Sequence, residues 1–291
     1  YCFHAIMTSR KVFQKNYSKT LRTMKKATIL GAIAGDVIGS IYEFYSTRNY
    51  NFELFNDRMS PTDDSVMTVA VADWILHDSE LSHEELAKTM RKWGRKYPHA
   101  GYGGMFSAWL DSDDAGPYNS WGNGSAMRVS PVGFAFDTME ETMEAAKTSA
   151  EVTHNHPEGI KGAQATAAAI YLARKGKAKD EIRDYISSTF DYDLSKKCAE
   201  IRMHYRFYVS CQESVPQSVC AFLDSTDYES ALRETISLGG DADTMGAITG
   251  GIACAYYGGM PDDIHDFAMS KLSGDMKDVV EKFNKRFMHL E

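Results

Sequence analysis

Two short acidic stretches carry most of the chemistry that this sequence offers. One is Thr62-Asp63-Asp64, inside Ser60-Pro61-Thr62-Asp63-Asp64-Ser65; the other is Asp241-Ala242-Asp243-Thr244, which follows Gly239-Gly240. Each supplies a hydroxyl and two carboxylates, hard oxygen donors that suit Mg²⁺, Mn²⁺ or Ca²⁺. Each also stands where a loop enters a helical pattern, and there Asp and Thr commonly cap orphan backbone N–H groups and complement the helix dipole. Capping explains one such side chain. Two adjacent carboxylates repel each other unless a cation lies between them. Asp241 and Asp243, two residues apart, would diverge on a regular helix, so they converge only if the backbone turns, as Gly239 and Gly240 permit.

Two further segments are candidates. Asn119-Ser120-Trp121-Gly122-Asn123-Gly124-Ser125-Ala126-Met127-Arg128 tolerates positive φ at its glycines and asparagines and can turn N–H groups toward an anion. Trp121 is suited to stacking on a sugar or base, and an ordinary turn is the alternative. Thr153-His154-Asn155-His156-Pro157-Glu158 has two histidines two apart, the spacing of neither a H-E-x-x-H zinc site nor a Cys/His finger. A hydrogen-bonding role is expected for His154. The five cysteines, Cys2, Cys198, Cys211, Cys220 and Cys254, form no C-x-x-C pair and are odd in number, as expected of reduced thiols in a cytoplasmic protein.

Helices must position these groups. From Ala27 to Phe44, apolar residues recur every three or four positions, a helix period. Gly31, Gly35 and Gly39 repeat every fourth residue within it, a pattern that costs helix propensity and is explained if another backbone approaches along that face. Asp36, Ser40 and Glu43 fall together on a different face. The Gly- and Ala-rich run Met245–Gly251 is expected to pack on the glycine stripe and so bring the two acidic loops together.

Helical spacing also covers Ser65–His77, Pro157–Lys175, Lys179–Thr189, Ser195–Phe207, Pro216–Leu223, Tyr228–Leu238, Ala242–Tyr257, Pro261–Met269 and Met276–Met288. Ser82-His83-Glu84-Glu85 and Thr138-Met139-Glu140-Glu141 have capping-box form. The Gly/Asp/Asn-rich stretch Pro98–Gly133 is expected as one long functional loop. No strand alternation stands out. The sequence therefore predicts an all-α, single compact multi-helix domain over residues 24–291, with roughly ten helices.

With 43% hydrophobic and 25% charged residues, the chain can build a packed interior. No segment approaches the roughly 20 apolar residues of a membrane span, so no membrane association is expected. Residues 1–23 hold Arg10, Lys11, Lys15, Lys19 and Arg22 and no acid. They are read as a leader outside the domain, flexible or non-native, whose composition also fits a targeting peptide. The rest is more acidic than the formal −8 of the whole chain. Such a body repels polyphosphate, which argues against an extended nucleic-acid surface; an anionic ligand would need metal ions or backbone N–H groups.

The sequence resembles the ADP-ribosylhydrolase family, which includes the dinitrogenase-reductase-activating glycohydrolases and the vertebrate ADP-ribosyl-acceptor hydrolases. The matching pieces are G-A-I-A-G-D-V-I-G-S-I-Y-E (31–43), P-T-D-D-S (61–65), W-G-N-G-S-A-M-R-V-S-P-V-G (121–133), T-H-N-H-P (153–157) and G-G-D-A-D-T-M-G-A-I-T-G-G (239–251). The resemblance implies an all-α fold with a dimetal site of two Mg²⁺ or Mn²⁺. It implies Thr62, Asp63, Asp64, Asp241, Asp243 and Thr244 as metal ligands, and Glu43, Asp36 and Asp243 as catalytic residues. Trp121, Gly122, Asn123, Gly124, Ser125, Ala126, Met127 and His154 would contact ADP-ribose. The expected activity is hydrolytic removal of ADP-ribose from a modified protein or small molecule, by a monomer. The alternatives are a metal-dependent hydrolase of a small nucleotide conjugate and a non-catalytic ADP-ribose-binding relative.

Overall fold

The structure, a computed structural model, describes residues 23–288. All but the last residue of the expected leader therefore lies outside the described residues, as does Cys2. Helix α1, Leu30–Gly39, is buried along its whole length, as its apolar and small residues require of a helix without a solvated face. It ends earlier than the predicted Phe44. The chain tightens into a 3₁₀ turn, Ser40–Tyr42, where Ser40 Oγ donates to the Val37 carbonyl at 2.8 Å. Glu43 follows directly. Near the C-terminal end of the chain, Ala242–Tyr257 forms a second central helix, buried from Ala242 to Cys254.

These two helices meet backbone to backbone. A Cβ at Gly35 would lie 1.9 Å from the Gly246 carbonyl oxygen, one at Gly39 2.4 Å from that of Ala242, and one at Gly250 2.3 Å from that of Gly31. The expected pairing of the glycine stripe with the run after Asp243 is thus what the structure contains. Tyr228 Oη donates to the Gly31 carbonyl at 2.7 Å, fixing the register.

Around this pair the chain wraps α2 (Asp63–His77), α3 (His83–Lys96), α4 (Gly104–Asp111), α5 (Gly124–Met127), α6 (Ser130–Ala135), α7 (Met139–Glu151), α8 (Pro157–Arg174), α9 (Lys179–Phe190), α10 (Cys198–His204), α11 (Cys211–Asp224) and α12 (Tyr228–Ile236). The central Ala242–Tyr257 helix is α13, followed by α14 (Asp262–Lys271) and α15 (Gly274–Phe287). The Ala-rich α8 lies against α7, α11 and α13, and α15 covers α2. One continuous apolar core runs through them. The fold is all-α as expected, apart from a two-residue antiparallel pairing of Met24–Lys25 with Met260–Pro261, too short to show alternation. Among the described residues, no helix is long and apolar enough to cross a membrane, and Cys198, Cys211, Cys220 and Cys254 are free and buried.

Three expectations change. Pro98–Gly133 is not one loop: it contains α4, α5 and the start of α6. These short helices are held by tertiary contacts and not by propensity. Phe106, Trp109 and Leu110 of α4 are buried, and the Arg91 guanidinium lies 4.0 Å from the centre of the Trp109 ring. The helix predicted from Pro216 starts at Cys211, and Pro216 sits inside it. The carbonyl left without a helical donor belongs to Gln212, which is exposed and can be served by solvent. Thr138 and Glu141 form the full capping box. Ser82 forms half of one, because Asp78 Oδ2 already takes the Ser82 N–H at 2.8 Å and Glu85 turns to His77.

A methyl group has no room at Gly35. Gly35→Ala is expected to destabilise the protein by about 3 kcal/mol, the upper part of the usual overpacking range, measured by denaturant unfolding. Gly274→Ala, at a helix start with nothing within 4 Å, should be neutral or stabilising by about 0.5 kcal/mol. Equal stability of the two variants would refute close backbone contact as the reason for the glycine stripe.

Candidate active site

Capping of α2 is accomplished without Asp63 or Asp64 side chains. Thr62 Oγ1 accepts the Asp64 N–H at 3.3 Å, and the cap is completed from α1. Asp36 Oδ2 accepts from the backbone N–H groups of Thr62 and Ser65 at 3.0 and 3.1 Å and from the Ser65 hydroxyl, while Oδ1 accepts from Thr62 Oγ1 at 2.7 Å. A carboxylate from a neighbouring helix thus meets the positive end of the α2 dipole. Asp63 and Asp64 are left for another purpose. The same holds at α13, where Asp241 occupies the N-cap position without making a side-chain cap bond; its Oδ2 instead accepts from Asn123 Nδ2 at 2.7 Å.

The glycine contact between α1 and α13 brings the two loops face to face. Thr244 Oγ1, at the start of α13, donates to Asp64 Oδ2, at the start of α2, at 3.3 Å. Carboxylate oxygens of Asp36, Asp64 and Asp243 lie within 4.8 Å of one another, as do those of Glu43, Asp241 and Asp243. Asp64 Oδ1 is buried with no hydrogen-bond partner. Among the described residues, no lysine or arginine forms an ion pair with any of these five acids or with Asp63.

Burial is the main reason why every one of these carboxyls is raised, and repulsion by neighbouring acids adds to it for Glu43, Asp63, Asp64 and Asp243. Asp36 is raised to about 6 by burial, against the pull of its four donors. Asp63 is raised to about 7 by burial and then by Asp36. Glu43 reaches about 7 by burial and then by Asp241. Asp64 and Asp243 are pushed well above the ordinary range, again first by burial, and Asp241 is raised for the same reason.

These acids form one end of a cavity of about 540 Å³. Glu43, Asp63, Asp64, Asp241, Asp243 and Thr244 line it; Asp36 and Thr62 do not. The lining continues through Asn123 and Met127, which touch Asp241 and Thr244, to Gly122, Gly124, Arg128 and His154. His154 crowds Gly124, where a Cβ would lie 3.1 Å from Nε2, and lies in ordinary contact range, 3.4 Å, of one at Gly122. Burial, then the charge of Arg128, holds the imidazole well below its usual pKa.

Three residues expected to contact the ligand are not part of the lining. Trp121 is 52% exposed and meets the edge of His156, its ring centre 5.5 Å away, because the Trp121 carbonyl is drawn to the Cys211 N–H at 3.0 Å. Ser125 is buried and donates to the Gly159 carbonyl at 2.7 Å, and Ala126 is buried beside it. Conversely, sequence reasoning did not single out Gly101, Gly103, Gly104, Met105, Phe106, Tyr118 or Val209, all of which line the cavity. The Gly-rich composition after Pro98 signals the first group; nothing in the sequence signals Val209.

Residues 18–291 match the family model described as ADP-ribosylglycohydrolase. The chain is 25% identical to ADP-ribosylhydrolase ARH3 of Homo sapiens, over 80% of this chain and 85% of that protein. It is 24% identical to the ARH3 of Xenopus tropicalis, covering 80% and 87%, and 24% identical to ADP-ribosylarginine hydrolase Tri1 of Pseudomonas putida, covering 82% and 72%. Among solved structures, an ADP-ribosylglycohydrolase-related protein complex superposes with a TM-score of 0.68 at 20% identity, covering 89% of this chain and 96% of that one.

The raised carboxyls set a pH dependence. A group whose folded pKa exceeds its unfolded one stabilises the fold below the unfolded pKa, near 4, and loses that contribution as pH rises through the folded value. For Asp36, Asp63 and Glu43 the window therefore runs from about pH 4 to about pH 7. Protein stripped with EDTA is expected to melt several degrees lower at pH 8 than at pH 5, and Mg²⁺ should restore most of the difference. A melting temperature flat across this range in EDTA would contradict the burial of these acids.

Proposed function

The chain belongs to the ADP-ribosylglycohydrolase family, and we propose that it is a divalent-metal-dependent hydrolase that releases ADP-ribose from a modified protein or small molecule by cleaving at the anomeric carbon of the distal ribose. The observation that carries this reading is the convergence of two Thr-plus-two-Asp loops on one cavity with, among the described residues, no lysine or arginine paired with their acids. The chemistry of the donors fits a hard cation: buried oxygens, an orphaned Asp64 Oδ1, and two sets of acids close enough to share an ion. Thr62, Asp63, Asp64, Asp241, Asp243 and Thr244 would hold two Mg²⁺ or Mn²⁺ ions. Bound there, the ions supply Lewis-acid polarisation of sugar hydroxyls and water, and neutralise the carboxylates.

The remaining residues divide the other tasks. Asp36, wholly buried and bonded to Thr62 and Ser65, anchors the start of α2 so that Asp63 and Asp64 face the cavity. This replaces the catalytic role expected from the sequence. Asn123 spans Asp241 and Ser214 Oγ, at 2.7 and 3.1 Å, and sets the rotamer of Asp241. Glu43 is half-exposed on the cavity wall, where it can reach the leaving atom or the attacking water, and so is the candidate for proton transfer. The wall of Gly124 and His154 receives the diphosphate.

The acceptor is a separate matter. Relatives named for ARH3 and for ADP-ribosylarginine hydrolysis stand at nearly equal identity, so membership supports ADP-ribose as the common part and leaves the linkage to a substrate panel.

The diagnostic variant is Asp64→Asn. It removes one charge from a repelling cluster and leaves the side-chain shape unchanged, so metal-free protein should become more stable. ADP-ribose release in Mg²⁺ should fall at least about a hundredfold, as loss of a metal-site group does. The assay follows free ADP-ribose from arginine-, serine- and small-molecule-linked substrates, with and without EDTA. Full activity in EDTA, or of Asp64→Asn, would refute the metal role; release of inorganic phosphate instead of ADP-ribose would refute the reaction.

A further inference from the structure

The far wall of the cavity holds an imidazole whose chemistry depends on where a single proton sits. His154 is buried. Its Nε2 faces the glycine loop and, among the described residues, has no hydrogen-bond partner. Its Nδ1 lies 2.8 Å from Thr153 Oγ1, and that hydroxyl accepts a hydrogen bond from Arg128 Nη2, also at 2.8 Å. A guanidinium has donors and no acceptor, so the direction of this bond is fixed. Thr153 must therefore point its own single proton elsewhere, and Nδ1 is within reach. A nitrogen that accepts at Nδ1 leaves the proton of a neutral imidazole on Nε2.

From this chain of contacts we infer that Arg128 and Thr153 lock His154 in the neutral Nε2–H tautomer, so that it faces the cavity as a hydrogen-bond donor and not as a base. Arg128 and Thr153 are thus positioning residues. On the proposed function, upon which the assignment of the ligand rests, the donor serves the diphosphate.

The surroundings hold each part in place. Arg128 Nη2 also donates to the Ser149 carbonyl at 2.8 Å, and the N–H groups of Thr153 and His154 both bond to the Ala150 carbonyl, at 3.1 and 2.7 Å. The Tyr118 ring lies 5.9 Å from that of His154. Its hydroxyl is the other acceptor near the Thr153 proton, but no hydrogen bond joins the two in the structure, whereas Nδ1 stands at 2.8 Å and takes that proton. Among the described residues, no carboxylate pairs with Arg128. Its buried, uncompensated charge opposes a second proton on His154, and its Nε, also buried, has no partner. Among the described residues of the cavity lining, Arg128 is the one arginine or lysine, and it stands beside the group that meets the anion.

The tautomer is read directly by long-range ¹⁵N–¹H correlation NMR on the whole protein labelled at its nine histidines, with His154 assigned by the loss of its signals in His154→Gln. The expected spectrum shows a protonated-type Nε2 and an unprotonated-type Nδ1. In Thr153→Val this pattern should give way to exchange between tautomers, and the affinity for ADP-ribose in Mg²⁺ should fall about tenfold, which corresponds to about 1.4 kcal/mol. Thr153→Ser, which keeps the hydroxyl, should restore both. An unprotonated Nε2 in the wild-type protein, or a Thr153→Val protein with an unchanged tautomer, would overturn the lock. The expected tautomer in a protein that binds no ADP-ribose would sustain the lock and overturn the reading of the cavity.

Discussion

The distance between the two acidic loops is set by a contact made almost wholly of backbone. Along α1 and α13 the backbones touch at Gly31, Gly35, Gly39, Gly246 and Gly250, where even a methyl group would overlap a carbonyl. Two helices separated by ordinary side chains lie about 8–10 Å apart. At that separation Asp64 and Thr244 would not share a hydrogen bond. The propensity lost at five glycines, close to 1 kcal/mol each in a helix interior, is offset by the burial of both helices in the core, and what is gained is geometric.

Electrostatics gives the reason why such rigidity is needed. Six acids, most of them buried, would spread apart or take up protons if the scaffold allowed it, and their raised pKa values express that tendency. Hydrogen bonds restrain the loops that carry them: Asp36 grips the start of α2 through Thr62 and Ser65, and Asn123 grips Asp241. Since those contacts come from α1 and from the loop before α5, the acidic end is preorganised by elements distant in sequence. A cage held in this way meets a cation without first paying for its own ordering.

This division decides what was legible in the sequence. The glycine stripe could be read because a glycine at every fourth position of an apolar helix has few physical explanations, and the acid loops because adjacent carboxylates at a helix start exceed what a cap requires. The partners could not be read. Asp36 reads locally as a polar residue on one face of a helix, and only its proximity to Thr62, 26 residues away, reveals that it caps another. Asn123 lies in a loop suited to anions, yet its side chain turns to Asp241, while Trp121, by type the best candidate for stacking, points outward. Local period and composition report which face a residue occupies, not what stands opposite. The short helices α4 to α6 escaped for the same reason, since their order comes from buried residues such as Phe106 and Trp109 and not from propensity.

The cavity is electrically uneven, with carboxylates along part of its wall and a buried guanidinium and imidazole beside glycines along another part. A ligand held across it must offer hydroxyls or cations to the first part and an anion to the second, and a nucleotide-linked ribose satisfies both in a single molecule. The mouth is of another kind. Phe44, Met105, Phe207 and Val209 remain exposed there or next to its lining, and Phe44 and Phe207 stack with ring centres 6.2 Å apart. They stand on irregular chain after the 3₁₀ turn and ahead of α11, where insertions and substitutions are tolerated more readily than in a glycine-matched helix pair. Selection can therefore alter what is bound outside the mouth without disturbing the ions within. A family built on this scaffold would be expected to share the ADP-ribosyl end of its substrates and to differ in the acceptor, because the two are recognised by parts of the chain under very different constraint.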